Sequence, residues 1–185
     1  AETTVASSVA SDLDATVAAG GAEAEVRNLR IGGERKGVSA TGSAVSLALR
    51  DVLVERAVSR GVYVVGAGTL TASNLVVRDT RARPGDGLGG WGLQVGNLDS
   101  GLAGVGTAEV VRAVFARSRD TGVAATGAGT RIVLHDVAIL DTLAQQSSGE
   151  FGDGLWIQDG ADVAVSRLVI ERSRHLGIVA IDGAT

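Results

Sequence analysis

The stretch that decides the fold runs LALRDVLVERAVSRGVYVVGAGT from Leu47 to Thr69. Its apolar residues occupy alternate positions in three short groups, of which Leu47 and Leu49 form the first. This period of two is typical of strands, whereas an amphipathic helix needs apolar residues at intervals of three and four. Polar residues or glycines separate the groups. The stretch therefore predicts three short β-strands joined by tight corners.

The same pattern recurs along the chain. A shift of 61 residues superimposes it on Ala108 to Thr130, where Gly122-Val123 replaces Gly61-Val62. Further copies begin near Ala24, Leu70, Ile132 and Val163, which makes six. Short strands in repeats of about 23 residues predict an all-β fold, a right-handed parallel β-helix or β-solenoid of six to seven coils over residues 22–185, with three short strands per coil. Six coils would form a rod about 30 Å long.

The composition agrees with a stacked repeat and excludes several classes of protein. Apolar residues make up 45% of the chain but aromatic residues only 3%, so the core must be filled by small branched side chains. With 17 basic and 21 acidic residues, the charge is too weak for a disordered tail or a nucleic-acid partner. No apolar run reaches the roughly 18 residues of a transmembrane segment, and no signal-peptide pattern is present in the given chain. Without cysteine, disulfides and thiolate chemistry are excluded.

The segment from Leu49 to Val62 resembles the parallel β-helix repeat (PbH1 type) of the pectate-lyase-like superfamily. In that repeat a corner Asn or Asp lies between apolar residues, and a polar corner precedes Gly-Val or Gly-Ile. The segment is also similar to Gly-Ala-Gly-Thr-rich β-helix arrays of secreted bacterial proteins of unassigned function. The resemblance implies a secreted or cell-surface location. It indicates no single activity, because the superfamily contains lyases, hydrolases, epimerases, adhesins and non-catalytic fibres.

One corner of the repeat carries a row of mostly Asn and Asp residues: Asn28, Asp51, Asn74, Arg112, Asp136 and Arg167. Asn and Asp tolerate the left-handed backbone conformation and bond their own backbone, so we expect a stacked ladder. A metal-binding row of carboxylates is the alternative, although the two arginines interrupt it. Glycines such as Gly61 and Gly122 precede the third strand, where we expect a positive φ or a close backbone approach.

The corner before the third strand is longer in two alternate copies. Insertions at residues 81–91 and 143–153 each add eight residues to the minimal corner between Ala57 and Gly61. We expect both loops to protrude from the same side, roughly 10 Å apart. A third insertion, 97–105, occupies the following corner. Loops on a rigid scaffold are where function concentrates.

The loops collect most of the rare aromatic residues. Trp91 ends the first loop, Phe151 lies in the second, and the strand alternation predicts that Trp156 points outward. With Gln158, these residues are the candidate ligand-binding set, because aromatic rings stack on sugar faces and polar side chains bond hydroxyl groups. The alternative is that both tryptophans only fold the loops against the rod.

Four carboxylates on or beside the same surface are weak catalytic candidates: Asp86, Glu150, Asp153 and Asp159. A glycosidase would need two carboxyl groups about 5–10 Å apart. The resemblance implies clustered Asp-Asp and Gly-His-Gly elements or a calcium-binding acid cluster in polysaccharide-cleaving relatives, and none is found here. His175 is expected to be a surface residue, with a proton-transfer or metal role beside Asp153 as the alternative. We therefore predict no cofactor and no metal, with Ca²⁺ as the alternative because residues 85–90 loosely resemble a calcium nonapeptide.

The ends of the chain allow more than one interpretation. Residues 1–21 predict either a degenerate first coil, with Ala15 and Val17 in the positions of Val62 and Val64, or a short capping helix. The chain lacks an obvious cap, so we expect a segment of a longer protein, or a subunit that self-associates end to end through uncovered strand edges.

The sequence thus predicts a non-enzymatic structural, adhesive or fibre-forming β-solenoid of the cell surface or extracellular matrix. The alternative is a carbohydrate-binding or polysaccharide-cleaving module, a lyase or glycoside hydrolase, that uses the face carrying Trp91 and Trp156. The expected partner in that case is a polysaccharide.

Overall fold

The computed structural model describes residues 15–19, 23–33, 35–42, 45–96 and 104–185. Those residues form thirteen strands and no helix, and accordingly none of them belongs to a helix that is long and apolar enough to cross a membrane. The strands are β1 (Ala15–Ala19), β2 (Glu23–Gly32), β3 (Lys36–Thr41), β4 (Ser46–Glu55), β5 (Arg60–Val65), β6 (Gly68–Arg78), β7 (Trp91–Val95), β8 (Gly106–Ala116), β9 (Thr121–Thr126), β10 (Arg131–Leu140), β11 (Asp153–Gln158), β12 (Asp162–Glu171) and β13 (Ile178–Ala180).

The strands form two parallel sheets between which the chain alternates. The seven odd-numbered strands form one sheet in the order β1-β3-β5-β7-β9-β11-β13, and the six even-numbered strands form the other in the order β2-β4-β6-β8-β10-β12. The register follows the repeat, since Leu47 lies beside Ala24 on one side and Leu70 on the other. The prediction of an all-β, parallel-stranded fold is confirmed, and the topology is compatible with a β-helix.

Each copy contains two strands rather than the three predicted. The long even-numbered strands bend at the Asn/Asp corner, where all six residues adopt φ between 51° and 56°. Pairing continues across the bend, because Arg50 lies beside Ser73 and Val52 beside Leu75. A single left-handed residue therefore turns the chain without ending the strand, and the first two predicted strands are one.

The side chains at this corner form a hydrogen-bonded ladder. The Asn74 side-chain amide donates to Asp51 Oδ1 at 2.7 Å, and Arg112 Nε donates to Asn74 Oδ1 at 2.8 Å. Arg167 forms two hydrogen bonds with Asp136, and this pairing lowers the pKa of the carboxyl group. The two arginines therefore take part in the stacked ladder through side-chain hydrogen bonds.

The core lies between the two sheets and consists of stacked aliphatic rows. Leu47, Leu70 and Ile132 occupy one such row and are fully buried. Phe115 is the one aromatic ring in the core cluster of the described residues. A neighbouring row, which includes Val110 and Leu134, ends at β12 in Val165, which is 48% exposed.

The first strand shows how the N-terminal segment begins to pair. Strand β1 adds to the edge of the odd-numbered sheet, with Val17 beside Val38 and therefore equivalent to Val62. The prediction had placed Ala15 in that position, which is two residues too early. Residues 1–14 and 20–22, and residues 97–103 of the third insertion, lie outside the described residues.

Candidate binding cleft

The two loops 81–91 and 143–153, called the first and second loop below, lie side by side. The backbone N–H of Ser147 in the second loop donates to the carbonyl oxygen of Gly87 in the first at 3.1 Å. A Cβ atom added to Gly87 would lie 3.0 Å from the Ser147 nitrogen. This tight contact and the φ of 69° at Gly87 together disfavour a side chain at position 87.

Both loops are closed by the same internal hydrogen bond. The Gly87 N–H donates to the Arg83 carbonyl oxygen at 2.9 Å, and the Gly149 N–H donates to the Gln145 carbonyl oxygen at 2.9 Å. These pairs occupy equivalent places in the two loops. The two loops therefore share the same backbone hydrogen bond at equivalent positions, and each loop is closed by its own bond.

The short corner of the intervening coil lies between the loops and carries Asp120. Asp120 has a φ of 76°, and the equivalent residues in the neighbouring coils are Gly90 (φ 109°) and Gly152 (φ 98°). Asp is among the few residues with a side chain that tolerate this conformation. A carboxyl group is therefore present at a position where the coils on either side have no side chain.

A cleft of about 210 Å³ opens over this corner, and its walls are the rings of Trp91, Phe151 and Trp156. Its floor includes Ala124, which lies beside Gln94 in one neighbouring strand and beside Trp156 in the other. Because alanine is small, it leaves space between these two larger side chains. The cleft is thus a gap in a row of outward-facing residues.

The polar lining of the cleft comes from Asp120, Thr121, Gln145 and Gln158. All four residues of the predicted ligand-binding set, Trp91, Phe151, Trp156 and Gln158, therefore lie around the same cleft. Trp156 is outward and half-buried, as the alternation predicts, while its neighbours Leu155 and Ile157 are buried.

Trp91 is supported from behind by a buried arginine. The Arg60 guanidinium carbon lies 5.0 Å from the centre of the Trp91 ring and 4.5 Å from that of Tyr63. Arg60 is only 5% exposed and donates a hydrogen bond to Gln94. Cation–π stacking of a desolvated guanidinium restrains the ring, so this wall of the cleft is held in place.

Phe151 and Trp156 form the opposite wall. Their ring centres are 6.1 Å apart, with an interplanar angle of 73°, which is an edge-to-face contact. The Trp156 indole N–H donates to Gln158 Oε1, and the Gln158 amide donates to Asp159 Oδ2 at 2.7 Å. Phe151 has a φ of 60°, which is unusual for a bulky residue and is typical of strained functional positions.

Asp120 is the ionisable group of the cleft. Its side chain accepts a hydrogen bond from Gln145 Nε2 at 2.9 Å and a long one from Thr121 Oγ1 at 3.5 Å. Burial raises the pKa of Asp120, and the charge of nearby Asp153 raises it further. Hydrogen bonds from Gln145, Thr121 and Trp91 act in the opposite direction. Asp120 was missed as a candidate; its position in a short corner between two inserted loops is the signal that could have identified it.

The four predicted catalytic acids do not line the cleft. Asp86 pairs with Arg83 (Nη2 to Oδ2, 2.8 Å) on the exposed first loop, where the hydrogen bond from the Leu88 N–H is the main cause of its lowered pKa. Asp159 accepts from Gln158, and Glu150 is exposed on the second loop.

Asp153 is fully buried and is hydrogen-bonded to His175. Asp153 Oδ1 lies 2.9 Å from His175 Nδ1 and accepts the Leu176 N–H at 3.0 Å. His175 opens onto a second cavity of about 260 Å³, which also includes Glu150 and Arg174. Phe151 lines both cavities.

Among the residues that the structure describes, no group of three His, Cys, Asp or Glu side chains is placed to hold a metal ion. The Ca²⁺ alternative stays a prediction. Comparisons with protein-family models, with curated proteins and with solved structures found no match. The resemblance to the pectate-lyase-like superfamily accordingly stays an expectation drawn from the repeat.

Proposed function

We propose that the chain is a right-handed parallel β-helix whose cleft between the two loops binds a carbohydrate. The observation that carries the proposal is the set of three aromatic rings, Trp91, Phe151 and Trp156, around a polar base. Aromatic faces pack against the apolar faces of a sugar ring, and a few convergent polar groups fix its orientation. The cleft volume of about 210 Å³ is below the roughly 300–1,000 Å³ of pockets that enclose a whole ligand, so the cleft would hold part of a sugar chain.

The β-helix part of the proposal is supported by the topology. Each copy contributes one strand to each sheet, and every strand pairs in parallel with its equivalent in the neighbouring copies. Connections between parallel strands of one sheet are right-handed in nearly all proteins, because strand twist favours that hand.

Binding without cleavage is favoured by the carboxyl groups. Glycosidases use two carboxyl groups, about 5–10 Å apart, that flank the bond to be broken. Of the carboxyl groups in the described part of the chain, Asp120 alone lines the cleft, while Asp153 is enclosed and bonded to His175. We therefore propose a binding module, and the secreted or cell-surface location implied by the resemblance is part of this proposal.

The test is a tryptophan-fluorescence titration with neutral, amino and acidic oligosaccharides. Trp156→Ala removes one wall and should weaken binding by at least about tenfold, or about 1.4 kcal/mol. Ala124→Leu fills the floor and should also abolish binding. Ala48→Leu adds the same atoms to the outward face of the other sheet and should leave binding unchanged. Failure of every oligosaccharide to bind the wild-type chain would overturn the proposal.

A structural or fibre-forming role at the cell surface or in the extracellular matrix is the second candidate. It is favoured by the way the strands pair, since every strand lies parallel to its equivalent in the next copy and further copies could add in the same way. A fibre of this kind could carry the cleft along its length, so the two candidates are compatible.

A further inference from the structure

The ionisable lining of the cleft is acidic. Among the described residues that line it, Asp120 is the single ionisable side chain, and Thr121, Gln145 and Gln158 are neutral. Asp153 adds a second carboxyl group close enough to influence Asp120. Of the neighbouring cations, Arg60 is stacked behind Trp91 and Arg119 donates to the Ala144 carbonyl oxygen; neither lines the cleft.

The aromatic walls add to this preference for positive charge. Aromatic rings present a negative face that attracts cations, and the attraction is stronger where water is excluded. Phe151 and Trp156 present their rings to the same space as the Asp120 carboxyl group. A cation in the cleft would therefore contact rings and lie near a carboxylate at once.

The burial of Asp120 makes a cationic ligand more favourable still. Asp120 is only 5% exposed, so its carboxylate loses hydration, and an enclosed positive charge would compensate this loss. An acidic sugar would place a second negative charge beside Asp120, which is unfavourable in a shielded site. A neutral sugar would gain only hydrogen bonds and packing.

We infer that the cleft selects sugars carrying a protonated amino group, as in polymers of glucosamine, over neutral and acidic sugars. This inference rests on the proposed carbohydrate binding and adds to it the chemical class of the sugar. The amino group would lie between the carboxyl group of Asp120 and the rings of Phe151 and Trp156.

The experiment compares two oligomers of equal length that differ in charge, glucosamine and N-acetylglucosamine oligomers, together with galacturonate oligomers. Calorimetric titration near pH 6, where amines are charged, should give at least about tenfold tighter binding of the glucosamine oligomer. Binding of the glucosamine oligomer should weaken as the pH falls further and Asp120 becomes protonated. Binding of the N-acetylated oligomer should be unaffected by this change.

Asp120→Asn keeps the size of the side chain and removes its charge, so it should abolish the preference for the glucosamine oligomer. Asp86→Asn removes the same charge from the exposed first loop and should retain the preference, which separates a local effect from one of net charge. If Asp120→Asn does not fold by circular dichroism, the wild-type pH profile decides instead.

Equal binding of the glucosamine and N-acetylated oligomers, or a preference that survives in Asp120→Asn, would overturn this inference and leave carbohydrate binding intact. Tighter binding of galacturonate oligomers would overturn it too. Failure of all three oligomers to bind would overturn the inference about amino sugars. If the wider oligosaccharide panel also failed to bind, the proposed carbohydrate binding would be overturned as well.

Discussion

Left-handed residues with side chains mark a second corner as well as the first. Arg56, Asp79, Arg117, Asp141 and Arg172 have φ between 51° and 59° and alternate in charge from coil to coil. Arg117 binds both carboxylate oxygens of Asp79, at 2.6 and 2.9 Å, and this pairing lowers the pKa of Asp79. Exposed ion pairs contribute little stability. The alternation of Arg and Asp at this corner therefore serves mainly to place opposite charges side by side in neighbouring coils, so that each coil pairs with the correct neighbour.

The glycines near the start of the odd-numbered strands are required by a close approach rather than by a positive φ. A Cβ atom on Gly122 would lie 2.3 Å from Ile139 Cγ2 and 2.7 Å from the Gly154 carbonyl oxygen. Both distances are too short for real contacts. Of the two explanations offered by the sequence, the close approach is thus the correct one at this position.

Gly122→Ala is accordingly expected to destabilise the fold by about 1–3 kcal/mol, because the new methyl group overpacks the core. Urea denaturation followed by circular dichroism measures the change. Gly85→Ala is the matched control, since nothing lies within 4 Å of a Cβ added there, and its effect should stay within about 0.5 kcal/mol. Equal effects of the two substitutions would contradict this account of Gly122.

At the scale of the strand, stability depends on the position of the coil in the stack. Val110 in β8 and Val165 in β12 occupy the same inward row, but Val110 is fully buried and Val165 is 48% exposed. Val110 has a paired strand on each side, whereas β12 is the last strand of its sheet, so Val165 is covered from one side only.

Val110→Ala should therefore cost about 2 kcal/mol, from lost burial and a residual cavity. Val165→Ala deletes the same atoms and should cost less than about 1 kcal/mol. The free energy of unfolding in urea tests both variants. A loss as large at Val165 as at Val110 would show that β12 is covered in solution.

At the scale of the whole molecule, the fibre-forming candidate predicts self-association. Sedimentation velocity should show species that grow with protein concentration, and electron micrographs should show filaments. Ile178→Lys places a charge at the edge strand β13 and should prevent growth. Ala48→Lys adds the same charge to an outward face within the stack and should not. A single monomer at high concentration would count against the fibre-forming candidate.

Sequence alone determined the features that depend on local periodicity. The alternation of Leu47 and Leu49 and the repeat that aligns Leu47 with Leu70 sufficed for parallel strands, their register and the outward position of Trp156. The Asn and Asp corners were equally predictable, because few other residues adopt their backbone conformation easily.

Only the tertiary structure decided which side chains share a site. The bend that joins two predicted strands, the arginines that extend the corner ladder and the role of Asp120 all depend on contacts between coils. Asp120 meets Gln145 and Trp91 only because a short corner lies between two long ones. A repeat specifies which residues stack, but the space left between unequal corners, and therefore the cleft, is set when the coils pack together.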